Sequence, residues 1–331
     1  MAEQFSMDIL KIDCEKETER IIAGMRAALA QDLKRRGLVV GVSGGIDSSV
    51  TAALSAKAVG PEKVLCLQMP ERHSAEETED LSGLVADTFG IGKIYENISG
   101  ILEATGFYRR YDEAVRSVIP EYGEGWKSKI VIPNVIESSG YNIFSIVAQN
   151  PEGKTVKKRL PLKAYLAIVA ATNFKQRTRK MLEYYHADRC NYAVTGTPNR
   201  LEYDQGFFVK LGDGAADIKP VAHLYKSQVY QMAAYLGVPE EIRNRPPTTD
   251  TYSLAQGQDE FYFSLPYDKM DLCLYGKNNG VSAATVGEAI GLTGEQVERV
   301  YKDIDVKRAT TKYLQMAPVL VGEVPEIGGK G

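Results

Sequence analysis

The residues best placed to do chemistry form a short run of serines, glycines and one aspartate, SGGIDSS, at positions 43–49. Its paired glycines, Gly44 and Gly45, let the backbone approach a phosphate closely. The hydroxyl groups able to donate hydrogen bonds to the same oxygens belong to Ser43, Ser48 and Ser49. Asp47 would repel a bare phosphate unless a cation lay between them. The run therefore predicts a phosphate site that uses Mg²⁺.

This run is neither a Walker A motif, which needs Gly-Lys-Ser/Thr at a fixed spacing, nor the dinucleotide fingerprint. A purely structural alternative is a Ser/Gly turn in which Asp47 or Ser48 caps a helix. An apolar strand precedes the run and a helix follows it, so backbone N–H groups and a helix N-terminus can converge on an anion. That order of elements favours phosphate binding.

The elements around this run alternate between strand and helix. An amphipathic helix is predicted over Asp13–Arg36, ended by Gly37, and Leu38–Val42 has the apolar character of a buried parallel strand. The elements predicted next are a helix over 48–59, a strand over 63–69 and a helix over 75–89. This alternation predicts an α/β fold, a doubly wound parallel sheet with helices on both faces, whose ligands lie beyond the carboxyl ends of the strands.

The alternation loosens between Gly106 and Ala171, which is predicted to be an insertion in one domain spanning 1–331. Two short runs flanking Asn-Pro-Glu-Gly within it predict a β-hairpin. The elements predicted after it are a helix over 164–185, a strand over 192–196, a helix over 229–236 and paired short helices over 282–304. The Gly- and Pro-rich tail, 318–331, is expected to be flexible.

Composition excludes several classes of function. The formal net charge is −3 and the pI about 5.8, which gives no overall basic field for nucleic acid. No apolar run reaches membrane-spanning length and no signal peptide is evident. Four widely spaced cysteines form neither a CxxC pair nor a disulfide framework. We therefore expect a cytoplasmic protein with reduced thiols that binds neither nucleic acid nor membranes.

Two motifs together resemble a known family. The SGGxDS run is similar to the loop of ATP pyrophosphatases, a class that includes several synthetases and tRNA-modifying enzymes. Residues 195–226, TGTPNRLEYDQGFFVKLGDGAADIKPVAHLYK, resemble a long stretch of the NAD synthetases. The Asn-x-Lys-x-Arg-x-Arg signature of that family is matched at 173–179, and its Pro-Thr-x-Asp segment at 247–250.

The resemblance implies an adenine nucleotide alpha hydrolase-like fold and a ligase that forms a C–N bond. Such an enzyme amidates deamido-NAD to NAD through an acyl adenylate, releasing AMP and pyrophosphate. Mg²⁺ would be held by Asp47 and Glu202, and the catalytic residues would be Asp47, Asp213 and Lys226. ATP is then a co-substrate, with contacts from Gly41, Ser43, Gly44, Gly45, Asp47, Ser48, Ser49, Thr197, Lys226 and Thr248. Outside this motif context, Glu202 and Asp213 would be interpreted as ordinary surface carboxylates.

The resemblance also implies the partners. Deamido-NAD would contact Asn173, Arg177, Lys210 and Asp217, at the interface of a homodimer. No cysteine follows Met1 as a nucleophile and 331 residues are few for an added glutaminase domain, so ammonia is the expected nitrogen donor. A separate glutaminase subunit stays open.

The chain departs from the family pattern in two places. Val306 stands where a histidine often precedes the basic pair Lys307 and Arg308, and residues 70–74, PERHS, replace a motif that contacts adenine in relatives.

Two alternative functions remain open from the sequence. A basic stretch over 154–180 would suit a tRNA-modifying enzyme of the same fold, although its first half also fits a solvated hairpin. The other alternative is a nucleotide-binding module without catalysis.

Overall fold

The central element is a four-stranded parallel sheet with the strand order β3–β2–β1–β7. A computed structural model of the chain describes residues 5–75, 77–132, 144–247, 251–257, 262–263, 265–322 and 324. The strands of this sheet are β1 (Leu38–Gly41), β2 (Val64–Gln68), β3 (Gly92–Tyr95) and β7 (Ala193–Thr195). All three strand pairings are parallel, as the alternation of the sequence predicted.

Side chains that alternate along β1 enter two separate cores. Leu38 and Val40 pack into one core and Val39 into the other, and all three are fully buried. The first core is covered by α1 (Cys14–Ala27), α2 (Ile46–Val59), α3 (Glu77–Phe89) and α8 (Lys226–Leu236). The second is covered by α4 (Ser99–Ala104), α5 (Phe107–Arg116) and α6 (Leu162–Cys190). Burial on both faces explains why β1 is uniformly apolar.

The segment predicted as an insertion contains a second, antiparallel sheet. Its strands are β4 (Lys127–Val131), β5 (Ser145–Gln149) and β6 (Thr155–Arg159), in that order. The β5–β6 pair is the predicted hairpin. Ile130 and Ile146 enter the same core as α6, so this small sheet packs directly against the main body. That the segment is inserted relative to other proteins stays a prediction.

A third core joins the C-terminal helices. It is built from α7 (Arg200–Gln205), α10 (Tyr267–Asn278), α11 (Ala283–Ile290) and α12 (Gly294–Gln315), while the four-residue α9 (Glu240–Arg243) packs on the first core. The predicted pair of short helices is present, but α12 runs 22 residues. The helix continues beyond its predicted end at residue 304 because basic side chains in its second half form ion pairs with carboxylates. Lys307 pairs with Asp303 and Arg308 with Asp204.

The prediction that the first helix continues to Arg36 and is ended by Gly37 is wrong. α1 stops at Ala27 and continues as one π-helical turn, Ala28–Leu33, which ends at Lys34 with φ of 51°. Gly37 is required for another reason, since a Cβ there would lie 2.3 Å from the carbonyl oxygen of Lys63.

The C-terminal tail predicted to be flexible, 318–331, lies mostly outside the described residues. None of the helices in the described part of the chain combines the length and apolar content needed to cross a bilayer.

Candidate functional site

A cavity of about 1380 Å³ opens at the carboxyl edge of the parallel sheet. The loop that follows β1 forms its floor. The end of β7 and the residues after it, 195–198, form one side, and α6 and α12 form much of the wall. Ligands of doubly wound sheets bind at this edge. The cavity is therefore where the sequence predicted a site.

The loop after β1 has the geometry of an anion site. Gly44 has φ of 75°, and a Cβ there would lie 2.5 Å from Cβ of Leu81, so only glycine fits. α2 begins at Ile46 with Gly45 as its N-cap, and no side chain in the described part of the chain caps its N-terminus. The first amides of the helix therefore face the cavity without a competing side-chain acceptor. Neither Asp47 nor Ser48 is the helix cap that the structural alternative requires.

The three loop hydroxyls differ in position. Ser43 and Ser48 line the cavity, whereas Ser49 is fully buried behind the loop and does not line it. Both Ser48 and Ser49 donate to the carbonyl oxygen of Gly45 at 2.9 Å. These bonds hold the loop against the start of the helix. Direct contact of Ser49 with ATP stays a prediction.

Asp47 is the centre of a charged cluster. One carboxylate oxygen accepts a hydrogen bond from Lys226 Nζ, and the other accepts from Asn199 Nδ2 at 3.0 Å. Lys226, the first residue of α8, is 2% exposed. Burial alone would lower its pKa, but the charges of Asp47 and Glu202 outweigh burial and raise it. Lys226 is therefore a protonated cation at the cavity wall.

Glu202 joins this cluster through Asn199. The Glu202 carboxylate accepts from the Asn199 backbone N–H at 3.1 Å, while the Asn199 side chain accepts from the Glu202 N–H, which makes a capping box at the start of α7. Burial first and the Asp47 charge second raise the pKa of Glu202 to about 8. A divalent cation bound beside Glu202 and Asp47 would relieve the repulsion that raises the pKa of Glu202.

The donor set fits Mg²⁺ that is shared with a phosphate. No group of three or more His, Cys, Asp or Glu residues that could hold a metal occurs among the residues placed by the structure. Mg²⁺ is commonly held by one or two carboxylates together with substrate phosphates and waters. Asp47 and Glu202, beside an anion-binding loop, provide that smaller set.

Asp213 lies in a tight turn at another wall of the cavity. Its carboxylate accepts from the Val209 N–H at 2.7 Å, and burial raises its pKa. A Cβ on Gly214 would lie 2.3 Å from a ring carbon of Phe208, so the GDG turn needs its second glycine. The turn therefore presents a half-buried carboxyl group with a raised pKa to the cavity.

The remaining predicted residues divide into two groups. Gly41, Thr197 and Asn173 line the cavity with the loop, whereas Thr248 lies outside the described residues. The residues away from the cavity lining are Arg177, Lys210 and Asp217. Lys210 Nζ donates to the carbonyl oxygens of Tyr313 and Met316, and Arg177 Nε donates to the carbonyl oxygen of Lys210.

Asp217 has a structural contact of its own. It accepts from the Val194 N–H of β7 at 2.7 Å and from the Tyr184 hydroxyl at 3.2 Å. Like Arg177 and Lys210, it does not line the cavity of a single protomer. Contact of these three residues with a dinucleotide stays a prediction.

The sequence analysis missed several groups that build the site. Asn199 holds both Asp47 and Glu202, and Asp271 of α10 accepts from the N–H groups of Lys226 and Ser227 at 3.2 and 2.7 Å. Burial raises the pKa of Asp271 to about 7. A buried ion pair between Lys180 and Glu183 also faces the cavity.

The segment at 70–74 is anchored by a buried carboxylate. Glu71 pairs with Lys175 Nζ at 2.7 Å and accepts from the Tyr108 hydroxyl at 2.9 Å. Its neighbours Arg72 and His73 line the cavity. At this departure from the family pattern, Glu71 anchors a segment that contributes Arg72 and His73 to the cavity lining.

Comparison with known proteins decides the family. A family model described as NAD synthase matches residues 17–119 and 127–312. The chain belongs to the NAD synthase family. It is 62% identical over 323 residues to the NH(3)-dependent NAD(+) synthetase of Rhizobium meliloti, covering 98% of this chain and 96% of that protein. The protein of the same name from Mesorhizobium japonicum is 58% identical over 318 residues, covering 96% and 100%.

Solved structures of NAD synthases and related enzymes share the fold. An NMN synthetase from Francisella tularensis aligns with a TM-score of 0.62 at 20% identity, covering 94% of this chain and 99% of that chain. An NH3-dependent NAD synthetase from Campylobacter jejuni aligns with a TM-score of 0.61, also at 20% identity, covering 94% and 100%. The predicted doubly wound fold is confirmed.

Proposed function

We propose that this NAD synthase converts deamido-NAD to NAD, using ATP and ammonia and releasing AMP and pyrophosphate. The observation that carries the proposal is the Asp47–Lys226–Asn199–Glu202 cluster beside an uncapped, glycine-lined helix N-terminus. Close relatives over nearly the full chain carry the name NH(3)-dependent NAD(+) synthetase. The fold, the charges and the relatives agree on one reaction.

The reaction has two steps. First, a carboxylate oxygen of deamido-NAD attacks the α-phosphorus of ATP; a P–O bond forms and pyrophosphate leaves with the electrons of the broken bond. Ammonia then attacks the acyl carbon, AMP departs, and the nitrogen loses a proton. A carboxylate alone is a poor electrophile because its leaving group would be oxide, so adenylation supplies the leaving group.

The residues of the site act mainly by position and charge. Loop amides bind the phosphates, and the Lys226 ammonium balances charge as pyrophosphate leaves. Asp47 and Glu202 would hold Mg²⁺, which supplies further charge neutralisation at the phosphates. Asp213, half-buried and with a raised pKa, is the candidate to accept a proton from the incoming nitrogen. Thr195 lines the cavity, and its buried Oγ1 has no hydrogen-bond partner among the residues that the structure describes, so it is available to a ligand.

The direct test is an assay with Mg-ATP and deamido-NAD, with ammonium or glutamine as nitrogen source. We expect NAD and AMP with ammonium, no AMP without the dinucleotide, and little NAD with glutamine. AMP release that ignores deamido-NAD and depends on tRNA would identify the tRNA-modifying alternative. Absence of AMP under every condition would identify a binding module. Equal rates with glutamine would overturn the choice of nitrogen donor.

Replacing Asn199 should lower the stability of the fold and also raise the Mg²⁺ concentration that the enzyme needs. Asn199→Ala removes the N-cap of α7, which costs about 0.5–2 kcal/mol of unfolding free energy, and frees both carboxylates. Removing a group that orients metal ligands typically costs about 10–100-fold in affinity or activity. We therefore expect the Mg²⁺ concentration for half-maximal NAD formation to rise about tenfold or more, measured by titration.

The matched control is Ser282→Ala, which removes the cap of α11 far from the cavity. It should lower stability in urea denaturation by a similar amount and leave the Mg²⁺ requirement unchanged. An Mg²⁺ requirement that stays at the wild-type value in Asn199→Ala would contradict the orienting role of Asn199.

We also propose a homodimer that uses α6. Exposed apolar side chains lie along this helix, with relative exposures of 71% for Leu162, 55% for Leu166, 55% for Met181 and 60% for Tyr185. Arg177 lies on the same helix between the two pairs and is also exposed. An apolar stripe on a surface helix marks an interface. A dimer formed there would bring the predicted dinucleotide residues of α6 to the interface.

Leu166→Glu should weaken this dimer. A charge placed in an apolar interface is expected to raise the dissociation constant at least about tenfold, which is about 1.4 kcal/mol, as measured by sedimentation equilibrium. Tyr95→Glu, at an exposed apolar residue on the edge strand β3, is the control and should leave the dimer intact. A dimer of unchanged affinity in Leu166→Glu would place the interface elsewhere.

The proposed location is the cytoplasm. All four cysteines are free thiols, and burial raises the pKa of both Cys66 and Cys273 to about 12. Neutral, buried thiols of this kind are unreactive. Their free state agrees with a reducing compartment.

A further inference from the structure

A buried ion pair faces the cavity from the middle of α6, away from the Asp47 cluster. Lys180 and Glu183 are 5% and 7% exposed, and Lys180 Nζ lies 2.5 Å from Glu183 Oε2. The two residues are three positions apart, so both side chains emerge from the same face of the helix. Both line the cavity.

This pair lies beside the start of the phosphate loop. A Cβ on Gly41, the last residue of β1, would lie 2.8 Å from Glu183 Oε1, so the carboxylate packs directly against the backbone that leads into the loop. The Lys180 charge also reaches Asp213, where it opposes the effect of burial on the pKa of that group. Lys180 thus lies between the phosphate loop and the GDG turn, where the two substrates must meet.

Stability alone gives little reason for such a pair. Removing two charges from water is costly, and replacing a buried ion pair by apolar residues is often neutral or stabilising. A buried ammonium at a cavity wall is, however, well suited to bind an anionic oxygen. Lys219, the nearby alternative, donates to the Gly214 carbonyl oxygen at 2.7 Å and does not line the cavity.

The proposed function requires two separate anion sites. The Asp47, Glu202 and Lys226 cluster, with the loop amides, serves the phosphates of ATP. The carboxylate of the second substrate must approach the α-phosphorus from the other side of the loop, and without a cation there the two anions would repel each other. Lys180 is a buried ammonium that lines the cavity, and its partner Glu183 packs against the start of the loop.

We propose that Lys180 binds the carboxylate of deamido-NAD before adenylation and that Glu183 is a positioning residue that holds Lys180. This inference rests on the proposed function and explains how the site could distinguish the acid substrate from the amide product. The substrate carries a carboxylate, whereas the product carries a neutral amide. Lys180 therefore favours the substrate over the product, and conversion to the amide removes the attraction and assists release.

The test compares the affinities of the acid and the amide. Dissociation constants for deamido-NAD and for NAD are measured by calorimetry with a non-hydrolysable ATP analogue and Mg²⁺ present. We expect Lys180→Met to weaken deamido-NAD binding about 10–100-fold, the range for a lost charge-assisted hydrogen bond, and to leave NAD binding within about twofold. Equal weakening of both dinucleotides, or of neither, would overturn the proposal.

A second variant separates binding from folding. Lys180→Met leaves Glu183 buried without its partner, so Lys180→Met/Glu183→Met removes both charges and should restore the melting temperature. A purely structural pair predicts that the double variant also regains affinity for deamido-NAD. Our proposal predicts that it does not, and recovery of the preference for acid over amide would refute it. Wild-type protein that forms no NAD would refute the proposed function instead, independently of Lys180.

Discussion

Asp47→Asn is expected to lower kcat/KM for NAD formation by at least about 10³-fold, which corresponds to about 4 kcal/mol of transition-state stabilisation. The substitution removes a charge from the proposed metal site and from the partner of Lys226. Asparagine keeps the size of the side chain and an oxygen that can still accept from Asn199 Nδ2. The loss should therefore arise from lost charge rather than from unfolding.

The measurement is steady-state NAD formation over a range of Mg²⁺ concentrations, together with the melting temperature. The matched control is Asp87→Asn, which makes the same chemical change at an exposed ion pair with Lys93 and should leave activity unchanged. An Asp47→Asn enzyme that is folded and still shows Mg²⁺-dependent turnover close to wild type would contradict the role given to Asp47.

Lys226→Met is expected to lower the rate of AMP formation by about 10²–10³-fold, the range observed when a positioned group that stabilises developing charge is removed. The Lys226 ammonium is fully buried and its pKa is raised by Asp47 and Glu202 in spite of burial. It is therefore a fixed charge that needs no reorganisation when pyrophosphate leaves. Methionine retains most of the volume and none of the charge.

Single-turnover AMP formation at saturating ATP separates this effect from weaker binding. Lys277→Met, which removes a half-buried lysine of α10 that pairs with the exposed Asp305, should leave the rate unchanged. The double variant Asp47→Asn/Lys226→Met should be no slower than the slower of the two single variants, because the pair acts as a unit. An unchanged single-turnover rate in Lys226→Met would remove this residue from the mechanism.

The sequence was most informative where chemistry and local structure coincide. The apolar run of β1, the SGG turn and the start of α2 are adjacent in the chain, so the phosphate loop could be placed with its aspartate before any coordinates. Predicting Glu202 as a site residue required the long motif at 195–226, since a glutamate without that context cannot be distinguished from a surface carboxylate. Asn199 could have been found, because Asn-Arg-Leu-Glu has the spacing of a capping box.

Other features depend on partners that are distant in the sequence. Asp271 caps α8 from α10 and lies 45 residues from Lys226, whose N–H donates to it, and nothing local distinguishes it from a surface aspartate. Lys180 and Glu183 have the spacing of an ordinary surface ion pair on a helix, and only the packing of α6 against the loop buries them. α12 exceeds its predicted length because Asp204, from α7, neutralises Arg308.

The measurement that most directly tests the central claim follows the oxygen atoms of the substrate. Deamido-NAD labelled with ¹⁸O in its carboxylate is incubated with Mg-ATP and ammonium, and the products are analysed by mass spectrometry. An acyl-adenylate route predicts AMP that carries one labelled oxygen, together with unlabelled pyrophosphate. ADP and labelled orthophosphate would instead show attack at the terminal phosphorus and contradict the account.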